Sequence, residues 1–340
     1  MQQFYVGTYA QGEGDIFTIA LKGNPAKLEL TSVLGGCENA SFMALGHGRL
    51  YAVSERPDGG DICTFSLSAA GAPVPLARIA APYPALCHIS VWPDGRALSA
   101  ASYLGGGVCT CALGAEGTPL APPQWIPNQG SGSNPQRQES AHAHSITPDP
   151  TGRYFIQADL GTDELLVFRP QGTRLALHGR VRVPSGEGPR HFVFHPTGRY
   201  GYLVTELKNH VIVFEYDGEK GLLRQRQTCA LLQGGEPPTC LAADIHLSGD
   251  GRYLYASVRG VPHIVKYSVE EDGALANREF LPCGAAAVRN FCITREGAHM
   301  LIADQLADEV RLFALHQENG TLGACLDSIR IPSPVCILEA

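Results

Sequence analysis

The chain has 340 residues, 44% of them hydrophobic and 17% charged, with a formal net charge of −7. This acidic balance, with no basic stripe, argues against a nucleic-acid partner. No 18-residue apolar run exists to span a membrane, and the start MQQFYVGTY has neither the charged leader nor the apolar core of a signal peptide.

In chain order, seven short apolar runs repeat one theme: FYVGTY (4–9), LYAVSE (50–55), ALSAASY (97–103), YFIQADL (154–160), GYLVTE (201–206), YLYASVR (253–259) and MLIADQ (300–305). Most follow a tight turn ending in Gly-Arg: PDGR at 93–96, PTGR at 150–153 and 196–199, GDGR at 249–252. The turn glycines Gly48, Gly95, Gly152, Gly198, Gly251 and Gly297 recur every 46–57 residues, the length of a four-stranded blade with two insertions. Six anchors give six units. The first run is a seventh copy that lacks the strand before it, and residues 334–340 (PVCILEA) resemble that missing strand. The expectation is an all-β, seven-bladed β-propeller of four-stranded blades, one domain over 1–340, closed by pairing the N- and C-terminal strands in one blade so that no edge stays open. No stretch of 12 or more residues has a helical period.

Eleven cysteines, an odd number that falls mostly inside predicted strands (Cys63, Cys87, Cys109, Cys111, Cys292, Cys336), read as buried thiols in a reducing cytoplasm. The C-x-C pair Cys109 and Cys111 lies on one strand face and reads as packing rather than as a metal site, since no further ligands accompany it. One segment is of low complexity, residues 122–140 (PPQWIPNQGSGSNPQRQES). A long polar loop inside a compact fold is either functional or disordered, and this one leads into a cluster of histidines.

In a propeller the start of each blade's innermost strand and the end of its second strand lie at the same channel mouth. Eight residues before the anchors stand Cys87, His144, Arg190, Ala243 and Arg289, followed by His88, Ser145, His191, Asp244 and Asn290. Eight residues after them stand Tyr103, Leu160, Glu206, Arg259 and Gln305, with Glu55 and Asp159 one step short. A structural ring would carry small or apolar residues. Cations and carboxylates converging there predict an anion-binding pocket with an acid–base group. The turn arginines Arg96, Arg153, Arg199 and Arg252 recur with the fold and read as turn or inter-blade contacts.

These words, above all NPQRQESAHAHS (134–145), GEGPRHFVFHPTGRYGYLVTEL (186–207), AADIHLSGDGRYLYASVRG (242–260) and VRNFCITREG (288–297), resemble over essentially the whole chain the seven-bladed propeller lactonases, a family that includes 6-phosphogluconolactonases and 3-carboxy-cis,cis-muconate cyclases. The chain departs from the pattern at Asp244, where Glu is common, and at Thr205 and Val258, where Asn is. The resemblance implies a channel site whose catalytic residues are His142, Arg190, Glu206 and Arg259, with His144 and Arg289 beside them; from the mouth register, His88, Tyr103, His144, His191, Asp244, Arg289 and Gln305 are expected to bind substrate.

Opening a lactone needs an activated water, a donor for the carbonyl oxygen and a proton for the leaving hydroxyl. His142, or alternatively His144, would be the base, Arg190 the oxyanion donor, Arg259 and Arg289 the holders of a phosphate or carboxylate, and Glu206 an orienting group or the acid. The expected activity is hydrolysis of a sugar lactone, 6-phosphogluconolactone foremost. Lactonising isomerisation of a carboxymuconate and non-catalytic ligand binding are the alternatives. There is no G-x-S-x-G elbow for a serine nucleophile, and neither G-x-G-x-x-G nor a Walker word for a nucleotide, so no cofactor is expected and the metal set is empty. The expected partner is a small anionic lactone or carboxylate. The sequence carries no signal for oligomeric state.

Overall fold

A computed structural model describes residues 2–10, 12, 14–69 and 71–340. Twenty-eight strands form seven four-stranded antiparallel sheets, and no helix occurs among the described residues. Blade I joins Gln2–Thr8, Ile16–Lys22 and Lys27–Leu34 to Pro334–Glu339, which pairs antiparallel with Gln2–Thr8. The remaining blades are contiguous in sequence: II from Ala40–Gly46 to Pro73–Ala81, III from Leu86–Val91 to Gln124–Pro127, IV from Ala143–Pro148 to Arg174–Arg182, V from Pro189–Phe194 to Leu222–Ala230, VI from Leu241–Leu247 to Leu275–Pro282, VII from Val288–Ile293 to Thr321–Arg330. The C-terminal strand therefore supplies the innermost position of blade I, as its likeness to the pre-turn strands predicted. The innermost strands pack neighbour to neighbour around the ring.

The repeat in the sequence exists because each blade buries both faces against its neighbours. There are seven apolar clusters, one at each interface. Blades V and VI meet through Tyr202, Val204, Leu254 and Ala256, and blades VII and I close the ring through Leu301, Leu312, Phe4 and Val6. Cys109 and Cys111 sit in the cluster between blades II and III as small hydrophobes. A tyrosine of the second strand fastens each of several interfaces, donating to a carbonyl of the next blade's outer hairpin: Tyr5 to Gly71 at 2.7 Å, Tyr51 to Gly117 at 2.6 Å, Tyr202 to Gly273 at 3.0 Å and Tyr255 to Gly320 at 2.9 Å. The turn glycines are required by geometry. Gly198 and Gly251 hold φ of 67° and 76°, a region that costs any residue with a Cβ. The turn arginines stay at those turns, Arg252 on Asp250 and the Gln317 carbonyl of the next blade, Arg153 on Glu219.

One irregularity is common to all seven blades. The pairing between the innermost strand and its neighbour slips where Ser41, Cys87, His144, Arg190, Ala243, Arg289 and Val335 stand. A β-bulge leaves one residue unpaired and re-aims its side chain. The bulges fall in the register that the turn glycines marked out, and they turn His144, Arg190 and Arg289 into the channel mouth.

Candidate active site in the channel mouth

Glu206 is the centre of the site. It follows the strand Tyr200–Thr205, its side chain is 4% exposed, and three guanidinium groups converge on it. Arg190 Nε donates to Oε2 at 2.9 Å, Arg259 Nη2 reaches the same oxygen at 3.0 Å, and Arg137 Nη2 donates to Oε1 at 2.6 Å. Burial alone would raise the Glu206 pKa. Arg259, Arg190 and Arg137 outweigh burial and hold it down at about 2. The three guanidinium groups thus favour the ionised form of Glu206. Arg259, desolvated and facing Arg190 and Arg289 as well as Glu206, is pulled down to about 10.

Arg137 is the site residue that reading the chain missed, although it lies in the polar loop flagged there. The segment folds back on itself: Arg137 and Gln138 amides bond to Asn134, and the Asn134 amide bonds to the Gln138 side chain at 3.0 Å. Gln138, fully buried, then donates to the Leu160 carbonyl and to Asp163, both at 2.8 Å. One side chain, Gln138, thus fastens the turn to blade IV through two hydrogen bonds, and the turn presents Arg137 to Tyr103 and Glu206. The loop passes so close to Gly161 that a Cβ there would strike the Ser140 carbonyl. The available signal was the NPQRQES word itself, which is contiguous with the histidines.

The histidines divide into a plug and a wall. Phe42 stacks on His88 at 4.2 Å. His88 meets His191 edge-on at 5.6 Å, His191 meets His144 at 5.5 Å, His144 meets Tyr103 at 5.5 Å, and Tyr103 stacks on His142 at 4.5 Å. His191 Nδ1 donates to Asp244 at 2.9 Å, while its Nε2 accepts from Arg190 at 3.2 Å. Asp244 also takes bonds from His246 at 2.8 Å and Asn290 at 2.5 Å, and Asn290 accepts the Ile337 amide at 2.6 Å. His88, His191 and Asp244, all expected to touch substrate, pack together as a plug: His191 is hydrogen-bonded to Asp244, while His88 lies against the His191 ring and accepts the Ile146 amide at 3.4 Å. The neighbours His191, His246 and Asn290 satisfy the buried Asp244 carboxylate and, despite its burial, keep it ionised.

The wall faces a cavity of about 240 Å³ lined by Glu55, Cys87, Tyr103, Arg137, His144, Glu206, Arg259 and Arg289. Of the residues expected from the sequence, Tyr103, His144, Glu206, Arg259 and Arg289 line it. Arg190, 3% exposed, lies behind Glu206 and ties it to the Ala243 carbonyl. His142 is held away from the cavity wall, Nδ1 donating to the Tyr103 carbonyl at 3.0 Å and Nε2 set 2.9 Å from Glu139. His144 is the histidine at the wall, with Nε2 3.8 Å from Glu206 and Nδ1 4.0 Å from the Cys87 sulfur. Burial, with Arg190, His191 and Arg289 around it, keeps its pKa well below the usual value and the ring neutral. Gln305 stands just past the strand His299–Asp304. Its amide bonds to the Ala287 carbonyl at 3.2 Å, and among the described residues its side chain makes no hydrogen bond to the cluster.

The plug carries a pH signature. Burial first, then Arg190, pushes the His191 pKa down to about 4 in spite of Asp244. In the unfolded chain the same ring titrates near 6.5. Between those values the unfolded chain binds the proton and the folded one does not, so stability is lost as pH falls from about 6.5 to 4, by about 3 kcal/mol from His191 alone. The urea midpoint is expected to start falling below pH 6.5, and a midpoint that stays level down to pH 5 would contradict a neutral His191 in the plug.

The family described as Lactonase, 7-bladed beta-propeller matches residues 3–339. The chain belongs to the lactonase family of seven-bladed propellers. It is similar to the 6-phosphogluconolactonase of Bacillus subtilis, 26% identical with 98% of this chain and 97% of that one covered, and to the 6-phosphogluconolactonase of Pectobacterium carotovorum, 31% identical over 69% and 68%. Among solved structures, the periplasmic gluconolactonase of Pseudomonas aeruginosa is 29% identical with a TM-score of 0.92, covering 99% of this chain and 98% of that one. This lactonase-family protein is accordingly a hydrolase of cyclic esters. No helix among its described residues is long and apolar enough to cross a membrane.

Proposed function

We propose that this propeller hydrolyses a phosphorylated sugar lactone, 6-phosphogluconolactone being the reading with most support. The observation that carries the proposal is a charge imbalance. Arg137, Arg190 and Arg259 surround one carboxylate, Glu206, leaving two positive charges uncompensated at a small, largely desolvated cavity. A phosphate monoester carries about −1.5 to −2 at neutral pH and matches that excess. The names of the relatives agree with this choice.

In this reading His144 is the base. Its ring is neutral, it lines the cavity, and it shares an oxygen neighbour, Glu206 Oε2, with Arg259. His144 takes a proton from water as the new C–O bond forms at the lactone carbonyl. Arg259, whose Nη1 has no partner among the described residues, donates to the oxyanion. When the ring C–O bond breaks, the leaving oxygen takes the proton back from His144. Arg137, anchored through one nitrogen, holds the phosphate with its remaining N–H groups. Arg190 and Glu206 keep the other two arginines in place.

The test is direct. The protein is expected to open 6-phosphogluconolactone with kcat/KM about 10²-fold above that for unphosphorylated gluconolactone, since a charge-assisted contact made at a desolvated site contributes about 2–3 kcal/mol. Inorganic phosphate should compete. Equal turnover of the two lactones, or turnover of a carboxymuconate alone, would overturn the assignment.

All eleven cysteines are unpaired, which supports a reducing, cytoplasmic setting for this chemistry.

A further inference from the structure

Beside the catalytic cavity lies a second one of about 480 Å³, and the two share Glu55 and Arg289 as walls. A cavity of about 240 Å³ falls below the usual range of about 300–1,000 Å³ for ligand pockets, so a phosphorylated hexonolactone must extend past that shared pair. The pair comes from distant parts of the chain and is assembled by ring closure. Glu55 is the penultimate residue of the second strand of blade II (Arg49–Arg56), Arg289 is the bulged residue of blade VII, and Tyr9 of blade I stands between them. The Tyr9 hydroxyl donates to Glu55 at 2.7 Å and accepts from Arg289 Nη2 at 2.9 Å, while the Arg289 guanidinium lies 5.1 Å from the centre of the Tyr9 ring. Only one oxygen of Glu55 is engaged by Tyr9. Among the described residues Nε and Nη1 of Arg289 hold no hydrogen bond.

The two halves of the mouth thus differ in charge. The Arg137–Arg190–Arg259–Glu206 half has its positive excess, whereas Glu55 and Arg289 cancel. A carboxylate repels a phosphate but accepts from a hydroxyl, and a guanidinium beside it donates to the next one. Resting on the lactone reading above, we propose that Glu55 and Arg289, clamped by Tyr9, form a polyol-reading subsite that binds the ring hydroxyls of the sugar lactone and sets specificity against hydroxyl-free anionic substrates. The subsite orients the ring; the chemistry stays with His144 and Arg259. Binding polarity follows: the phosphate arm points to Arg137, the lactone carbonyl to Arg259, and the hydroxyl-bearing edge to Glu55.

The experiment compares wild type, Glu55→Gln and Tyr9→Phe on 6-phosphogluconolactone and on a δ-lactone carrying the same phosphomethyl arm but no ring hydroxyls. Calorimetric binding of 6-phosphogluconate and of inorganic phosphate accompanies the kinetics. Glu55→Gln is expected to lower kcat/KM on the sugar lactone by about 10- to 100-fold, mainly through KM, as loss of a charged hydrogen-bond acceptor does. The preference for the sugar lactone over the hydroxyl-free one should narrow by the same factor. 6-Phosphogluconate should bind more weakly to the variant while inorganic phosphate binds as in wild type. Tyr9→Phe, which unclamps both groups without removing either, should move the same quantities in the same direction by a smaller factor, and it carries the test if Glu55→Gln does not fold. An unchanged preference, or equal weakening of phosphate and phosphogluconate, would overturn the subsite. A wild type that opens neither lactone would instead sink the lactone reading itself.

Discussion

Glu206→Gln is expected to disable and destabilise the protein together. Glutamine keeps the shape and one acceptor oxygen, but it removes the charge that three guanidinium groups share and turns an amide N–H₂ toward one of them. Breaking a buried ion pair from one side costs about 3–5 kcal/mol, because the orphaned charge stays buried. For a chain of this length that is about 5 °C in Tm. Activity should fall by at least about 10²-fold, since Arg259 and Arg137 lose the anchor that aims them. The pairing of effects is the informative part, because an acid catalyst in the same place could be removed with loss of rate but little loss of stability. Thermal unfolding that matches wild type would show that the arginines are not balanced by this carboxylate.

The second large effect is expected from His144→Ala. Loss of a general base costs about 10²–10⁴ in kcat. KM and phosphate affinity should change little, because the neutral ring holds no anion. His142→Ala is the comparison that decides between the two histidines. Its ring is bonded to the Tyr103 carbonyl and to Glu139 rather than facing the cavity. A larger kcat loss for His142→Ala than for His144→Ala would reverse the assignment. The pH profile gives an independent check. With the His144 pKa pushed well below its usual value by burial and by Arg190, the active, neutral form is already complete at pH 6.5. Activity is therefore expected to stay level from neutral pH through 6.5 and to fall only further into acid as the ring protonates. A decline centred at 6.5 would mean the base is a solvated histidine elsewhere.

The legible part of this molecule was its periodic part. Blade number, the closing strand and the register of the polar mouth positions follow from features repeated in each hairpin: a turn that demands positive φ, an apolar run, a polar residue where the run ends. Each blade repeats the same local problem, so the answer appears seven times in the sequence. That Glu206, Arg259 and Arg289 reach the mouth was legible for the same reason. Arg137 was not, because no blade register leads to it. Its place depends on Gln138 finding Leu160 and Asp163 across a turn that belongs to no strand. The division of the histidines was hidden as well. His142 and His144 are two residues apart, and only the partners brought by blades III and V turn one toward Glu139 and leave the other at the cavity.

The amino-acid order therefore determined the wheel and the circle of polar side chains at its hub, because hairpin geometry and apolar periodicity act over a few residues. Which of those side chains share charge, which plug the channel and which face the cavity was decided only by the assembled ring. Tyr9, Glu55 and Arg289 belong to three blades, and Tyr9 and Arg289 are separated by 280 positions. Coulomb and hydrogen-bond energies act on distance in space, and that distance is set when blade VII meets blade I.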